Sequence, residues 1–97
     1  LRNYYGNVEI VNNAPIRGIT SSYPGTPLRQ GSTGPDVKLW QTILRGDGIK
    51  DDAGKVIVID GIFGDSTEQG TIKLQKKFGL EPDAVVGNLT WGKGLYR

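Results

Sequence analysis

Cysteine, histidine and methionine are all missing from the 97 residues of this chain. The first absence excludes a disulfide framework and any thiolate metal site. The second removes the usual general base and the commonest zinc ligand. Long apolar runs are missing too. No segment approaches the length that spans a bilayer, so no membrane partner is expected. The two signs nearly balance: a net charge of +2 does not make the clustered basic face that nucleic acid asks for. The one local cluster, Lys73, Lys76 and Lys77, falls near an expected helix end, where the helix dipole accounts for it. A chain that opens on Leu1 and holds no Met reads as a piece of something longer.

Catalysis has little left to draw on. A pair of carboxylates remains as acid and base, with Asp60 and Asp83 as the candidates, but no pattern marks a deep, water-excluding cleft around them. No intrinsic activity, cofactor or metal is expected. Asp47, Asp51 and Asp52 invite a calcium reading. However, Ile49 occupies a ligand position of the EF-hand register, and the loop lacks the glycine and terminal Glu. A solvated turn is expected there instead.

The residues present describe one soluble folded domain, with 36% hydrophobic and 23% charged residues. Residues 1–27 read as an extended arm or linker. Val8 and Ile10 offer one short strand pattern, and the Pro-rich stretch after them favours a connector laid on the domain through Ile16, Ile19 and Tyr23. From residue 28 onward the helical signals sharpen. Ser32 or Thr33 can cap a helix with Pro35 in its first turn, Val37, Trp40 and Leu44 on its inner face, and Leu39 and Ile43 widening the arc. Gly46 and Gly48 end it. After the turn KDDAGK, VIVI (56–59) is a short apolar extended stretch.

The second helix has Asp65 or Ser66 as cap, with Glu68 or Gln69 completing a capping box. Thr67, Thr71, Leu74 and Phe78 form its inner stripe. Gly79 supplies the left-handed stop, and Leu80 is placed to fold back on Leu74. A third, short helix follows, with Asn88 as cap and Trp91 and Leu95 as anchors.

DGIFGDST (60–67) and DAVVGNLT (83–90) repeat one pattern. Asp60 and Asp83 are suited to accept hydrogen bonds from N–H groups of their own turns, while Phe63 and Val86 aim inward. Helices 32–44 and 66–78 also overlay, with Gln41 on Gln75. A buried Gln must be hydrogen-bonded, so both are expected to tie a helix to a neighbouring loop. Trp40 is expected in the core. Trp91 suits either the core or contact with a sugar face.

The stretch from LRQGSTGPDVKLWQTIL to DAVVGNLTW resembles peptidoglycan-binding domain family 1, the three-helix modules attached to cell-wall hydrolases and to spore or phage lytic enzymes. The likeness rests on Gly31, Ser32, Gly34, Val37 and Gln41, then on Asp60, Gly61, Phe63, Gly64 and Thr67. Gln75, Gly79, Leu80, Asp83, Val86, Gly87, Thr90 and Trp91 continue it. It implies a mostly α fold: a small three-helix bundle with long ordered loops over residues 28–97, following the extended N-terminal arm. It also implies a non-catalytic module that binds peptidoglycan or muropeptide, in the cell envelope or outside the cell, as a monomeric part of a larger multidomain chain. The ligand groove would be lined by Asp60, Gly61, Phe63, Gly64, Thr67, Val86, Thr90 and Trp91, with Phe63, Val86 and Trp91 as its apolar floor.

The chain departs from the family pattern at four places. Trp40 stands for Leu, Gly70-Thr71 for Ala-Val, Leu74 for Phe, and Ala84 for Gly. Trp40 and Leu74 read as a volume exchange. If the position of Ala84 needs positive φ, the residue is strained and the second turn differs from the first. The same fold resembles the matrix metalloproteinase prodomain, so a docking or spacer module that packs on a neighbouring domain is the alternative. The cysteine-switch motif of that prodomain is absent. A degenerate module kept for structure is a third reading.

Overall fold

Pro35 cannot donate a backbone hydrogen bond, so it serves at a helix start; the first helix, α1, runs Pro35–Gly46. The second, α2, runs Asp65–Lys77, and the third, α3, runs Asn88–Leu95. The computed structural model describes residues 23–95, so the strand expected at Val8–Ile10 and the contacts expected of Ile16 and Ile19 lie outside the described residues. Among the described residues there are three helices joined by ordered loops, with three isolated antiparallel bridges as the only strand-like pairing. The side chain of Leu95 also lies outside the description.

The helix starts differ from expectation in a consistent way. Gly34 caps α1 and Gly64 caps α2, neither with a side-chain bond. The expected caps are engaged elsewhere. The Ser32 hydroxyl accepts from the Arg29 N–H, Asp65 accepts from the Gln30 amide, and the Ser66 hydroxyl donates to Asp51. Gln69 accepts from the Asp52 N–H, so no capping box forms. Asn88 is the first residue of α3, and the Gly87 carbonyl accepts from the Trp91 N–H. Each helix therefore starts from a glycine carbonyl, and the nearby polar side chains bind other elements of the fold.

The helix ends match the reading. Gly48 and Gly79 have φ of 76 and 71°. Beyond α1, the Ile49 N–H donates to the Leu44 carbonyl and the Gly48 N–H to the Arg45 carbonyl. Beyond α2, Leu80 donates to Gln75 and Gly79 to Lys76. This is the paired closure of a left-handed glycine stop, twice over.

Val37, Trp40, Ile43 and Leu44 of α1 meet Leu74 of α2, Trp91 of α3 and the loop residues Leu28, Ile57, Phe63 and Val86 in one core. Tyr23 and Leu39 pack on its edge. The Trp40 ring stacks on Trp91 at 5.8 Å between centroids, and its Nε1 donates to the Thr71 hydroxyl at 2.9 Å. Room for this indole comes from Gly94. A methyl group there would sit 2.6 Å from Trp40 Cζ3. The volume exchange expected with Leu74 is joined by this second source of space, a glycine of α3. Gly70, costly in a helix by about 1 kcal/mol relative to Ala, has a packing reason too, since a methyl group would stand 3.0 Å from Ile57 Cδ1.

The loop expected to be a solvated turn buries Asp51 instead. Its Oδ1 accepts from the Ala53 and Lys55 N–H groups and its Oδ2 from Ser66. The Lys55 amide is the main cause holding its carboxyl below the ordinary value, with desolvation opposing. Asp52 pairs with Lys73 and Asp47 with Lys77, so the three aspartates serve three separate contacts. In the VIVI stretch Ile57 alone is buried, while Val58 is 60% exposed.

Residues 28–34 join the two repeated turns. Leu28 exchanges both backbone hydrogen bonds with Val86, and residues 31–34 bond to Gly61 and Phe63. A single segment thus fixes the turn before α2 relative to the turn before α3.

Candidate functional site

Each repeated turn is held from inside by a glutamine of the preceding helix. Gln41, buried on α1, points its amide nitrogen at Asp60 Oδ1, the Ile62 carbonyl and the Thr67 hydroxyl, at 2.9–3.0 Å. Its oxygen accepts from the Asp60 and Gly61 N–H groups. Gln75, buried on α2, repeats this on the second turn. Its nitrogen donates to Asp83 Oδ1, the Val85 carbonyl and the Thr90 hydroxyl, and its oxygen accepts from the Ala84 N–H. An amide nitrogen has two protons for three acceptors, so one proton is shared in each case. Both aspartates also accept from their own turns, Asp60 from the Ile62 N–H and Asp83 from the Val85 N–H, each at 3.0 Å.

These bonds set the electrostatics of the first turn. The Ile62 amide, and then the Gln41 amide, hold the Asp60 carboxyl below its ordinary value against some desolvation. They also set the backbone. Gly61 has φ of 78°, and Ala84 has φ of 64°, the only non-glycine residue with positive φ among those described. The second turn therefore keeps the conformation of the first, and the expected difference between them does not arise at the backbone. The strain expected at Ala84 is present, held by the buried amide above it.

The predicted site residues divide by exposure. Phe63, Val86 and Trp91 are 1%, 0% and 1% exposed, so they lie in the core beneath the turns and do not form an open floor. Thr67 and Thr90 are buried as well, with their hydroxyls accepting from the two glutamines. Gly61 is buried, Gly64 half-buried and Asp60 exposed. The grooves that the turns open outward keep Asp60, Gly64, Thr67 and Thr90 of that set and add other residues. A groove of about 240 Å³ is lined by Val58, Asp60, Ile62, Gly64, Asp65, Ser66 and Thr67. A second, of about 270 Å³, is lined by Leu80, Glu81, Asp83, Val85, Gly87, Asn88, Leu89 and Thr90.

The grooves occupy equivalent places in the repeat: Asp60 answers to Asp83, Ile62 to Val85, Gly64 to Gly87 and Thr67 to Thr90. Ile62 and Leu89 are 56% and 72% exposed, and the sequence reading had not selected them. For Ile62 the signal is in the doublet Ile62-Phe63, whose second member enters the core; Val85, ahead of the buried Val86, is half-buried, and no such doublet marks Leu89. Asp60 and Asp83 lie in separate grooves, and each has one oxygen engaged by its turn. They do not form an acid–base pair across a common cleft.

Comparison with known proteins agrees with this geometry. Residues 33–93 match the family described as "Putative peptidoglycan binding domain". The crystal structure of SleB N-terminal domain superposes with a TM-score of 0.62 at 29% sequence identity, covering 71% of this chain and 88% of that one. The matched span contains both glutamine-held turns and all three helix starts, and on this ground the chain belongs to the peptidoglycan-binding domain family.

Proposed function

We propose that this peptidoglycan-binding module attaches a larger protein to the cell wall without catalysing a reaction itself, and that muropeptide segments enter the two turn grooves. The carrying observation is the repetition itself. Two buried glutamines hold two turns in one conformation, and each turn opens a groove of similar size onto solvent. A scaffold needs the locks. An exposed apolar residue beside each lock, Ile62 in the first groove and Leu89 in the second, is what a binding surface adds.

Of the residues singled out by sequence, Asp60 and Gly64 would touch ligand in this reading. Gly61, Phe63, Thr67, Val86, Thr90 and Trp91 shape the grooves from beneath. Grooves this small and open suit weak binding, and joining the module to a catalytic neighbour would raise that neighbour's concentration on the wall. The matched structure is itself titled as an N-terminal domain, which supports membership of a multidomain chain. An extracellular or envelope location follows from the ligand.

Co-sedimentation with purified sacculi at low salt tests the reading. The chain should pellet with the wall. Ile62→Asp combined with Leu89→Asp should abolish pelleting while the far-ultraviolet circular dichroism stays unchanged. Full retention of the folded double variant would show that the grooves are not the binding surface.

A further inference from the structure

Resting on that reading, we infer that the grooves recognise the peptide part of peptidoglycan, through a primary ammonium group flanked by aliphatic side chains, and not the glycan strand. The lining decides between the two. The first groove sets the carboxylates of Asp60 and Asp65 beside Val58 and Ile62. The second sets Glu81 and Asp83 beside Val85 and Leu89. Asp60 and Asp83 are equivalent in the repeat, whereas the second acid, Asp65 in one groove and Glu81 in the other, comes from unequal positions; both grooves end as an acid pair with an aliphatic rim.

Among the described residues, nothing cationic occupies these four carboxylates. Asp60, Asp65 and Asp83 each engage one oxygen with neutral donors only. Among the described residues, no ion pair reaches any of the four. Lys38 adjoins Asp60 in a separate shallow depression with Gly34 and Pro35, without pairing with it. An ammonium group entering either groove would meet two carboxylates that no described residue ion-pairs, and its carbon stem would lie along Ile62 or Leu89, as amphipathic side chains do.

A glycan strand finds the opposite conditions. A sugar ring buries its flat C–H face best on an aromatic ring. Trp40, Phe63 and Trp91 are all enclosed in the core, and among the described residues no aromatic side chain lines either groove. The amino sugars of peptidoglycan carry hydroxyl, acetamido and carboxyl groups but no cation. Its stem peptides carry alanine methyls and, on the diamino acid, an amine that is free only where the stem is not cross-linked. Recognition of that amine would direct the module to uncross-linked wall.

The experiment uses the ¹⁵N-labelled 97-residue chain, titrated separately with three probes. These are a stem tetrapeptide with a free side-chain amine, the same peptide with that amine acetylated, and peptide-free glycan strands. Sacculus co-sedimentation runs in parallel. The free-amine peptide should shift resonances in 58–67 and 80–90, acetylation should weaken binding, and glycan strands should leave these residues unmoved. Asp65→Asn and Glu81→Gln lie outside the glutamine locks. Each should weaken the free-amine peptide by roughly two- to fivefold, the size of an exposed ion pair, and leave the acetylated peptide unaffected. Shifts from glycan strands alone, or equal affinity for the two peptides, would overturn the assignment. If sacculi still pellet the chain while the peptides are silent, the peptide assignment falls and wall binding stands. If sacculi fail to pellet it and the peptides are silent, both fall.

Discussion

Gln41 holds the turn at 60–67 through five hydrogen bonds, whereas Gln75 holds the turn at 83–90 through four. The missing bond is the one to the first residue of the turn. The Asp60 N–H donates to Gln41, but the Asp83 N–H donates to the Glu81 carbonyl instead. The second difference is the residue at positive φ, Gly61 in one turn and Ala84 in the other. An L-residue pays about 1–2 kcal/mol in the left-handed region, and yet Ala84 adopts it. The comparison teaches that the buried amide imposes the turn. Glycine makes the conformation easier, but it is the lock above it that selects it.

Removing the locks should have the largest effect. Gln41→Leu leaves the Asp60 and Gly61 N–H groups and the Ile62 carbonyl without their partner, which should cost about 3 kcal/mol in urea unfolding. Gln75→Leu, with one bond fewer to lose, should cost about 1 kcal/mol less. Equal losses would mean that the extra bond of the first turn adds nothing to stability.

Exchanging the left-handed residues should come next, and asymmetrically. Gly61→Ala meets positive φ and also places a methyl group 3.2 Å from Lys38 Cγ, so a loss of about 1–2 kcal/mol is expected. Ala84→Gly relieves strain but frees the unfolded chain and gives up a buried methyl. Its stability should lie within about 0.5 kcal/mol of the parent. Thermal or urea melts of the two single variants measure the asymmetry.

Acid should give the smallest effect, and it tests the first turn. Because the fold lowers the Asp60 and Asp51 carboxyls, their contribution is complete above the ordinary aspartate value of about 3.9. It is lost as pH falls past that value towards the lowered folded ones. Asp60→Asn keeps the acceptor oxygen and removes one of these protonations. Its stability should fall less steeply than the parent's below about pH 4, as urea midpoints at stepped pH would record.

Much of this frame was legible in the sequence because particular residues had few alternatives. A glutamine on an inner helical face must find partners, and Gln41 and Gln75 found the turns expected of them. The aspartates bond within their own turns, Val37, Trp40 and Leu44 of α1 and Thr67, Thr71 and Leu74 of α2 are buried with Phe78 partly so, and Gly48 and Gly79 close their helices. What escaped were choices between competing partners. Ser66 looks like a cap until Asp51 is brought near it, and Asp65 until Gln30 arrives. Part of the space for Trp40 comes from Gly94, which is far along the chain and has no side chain to announce it.

The site was legible as a pair of turns but not as a surface. Phe63, Val86 and Trp91 are apolar enough for a ligand floor or a core, and a chain this short needs them for its core. Ile62, the outward neighbour of Phe63, and Leu89, two residues before Trp91, are then left exposed, with Val85 half-buried beside Val86. That assignment depends on the direction in which each turn enters its helix, which segment 28–34 fixes by bonding to both turns.

Amide hydrogen exchange at Gly61 and Ala84 tests the glutamine locks most directly. Both N–H groups donate to a buried glutamine oxygen, at 2.8 and 3.0 Å. In the parent chain both should exchange only through global unfolding, as slowly as the buried amides of α1. In Gln75→Leu, Ala84 should lose protection beyond the general loss of stability while Gly61 does not. An Ala84 amide that exchanges at the rate of an open loop in the parent chain would contradict the account.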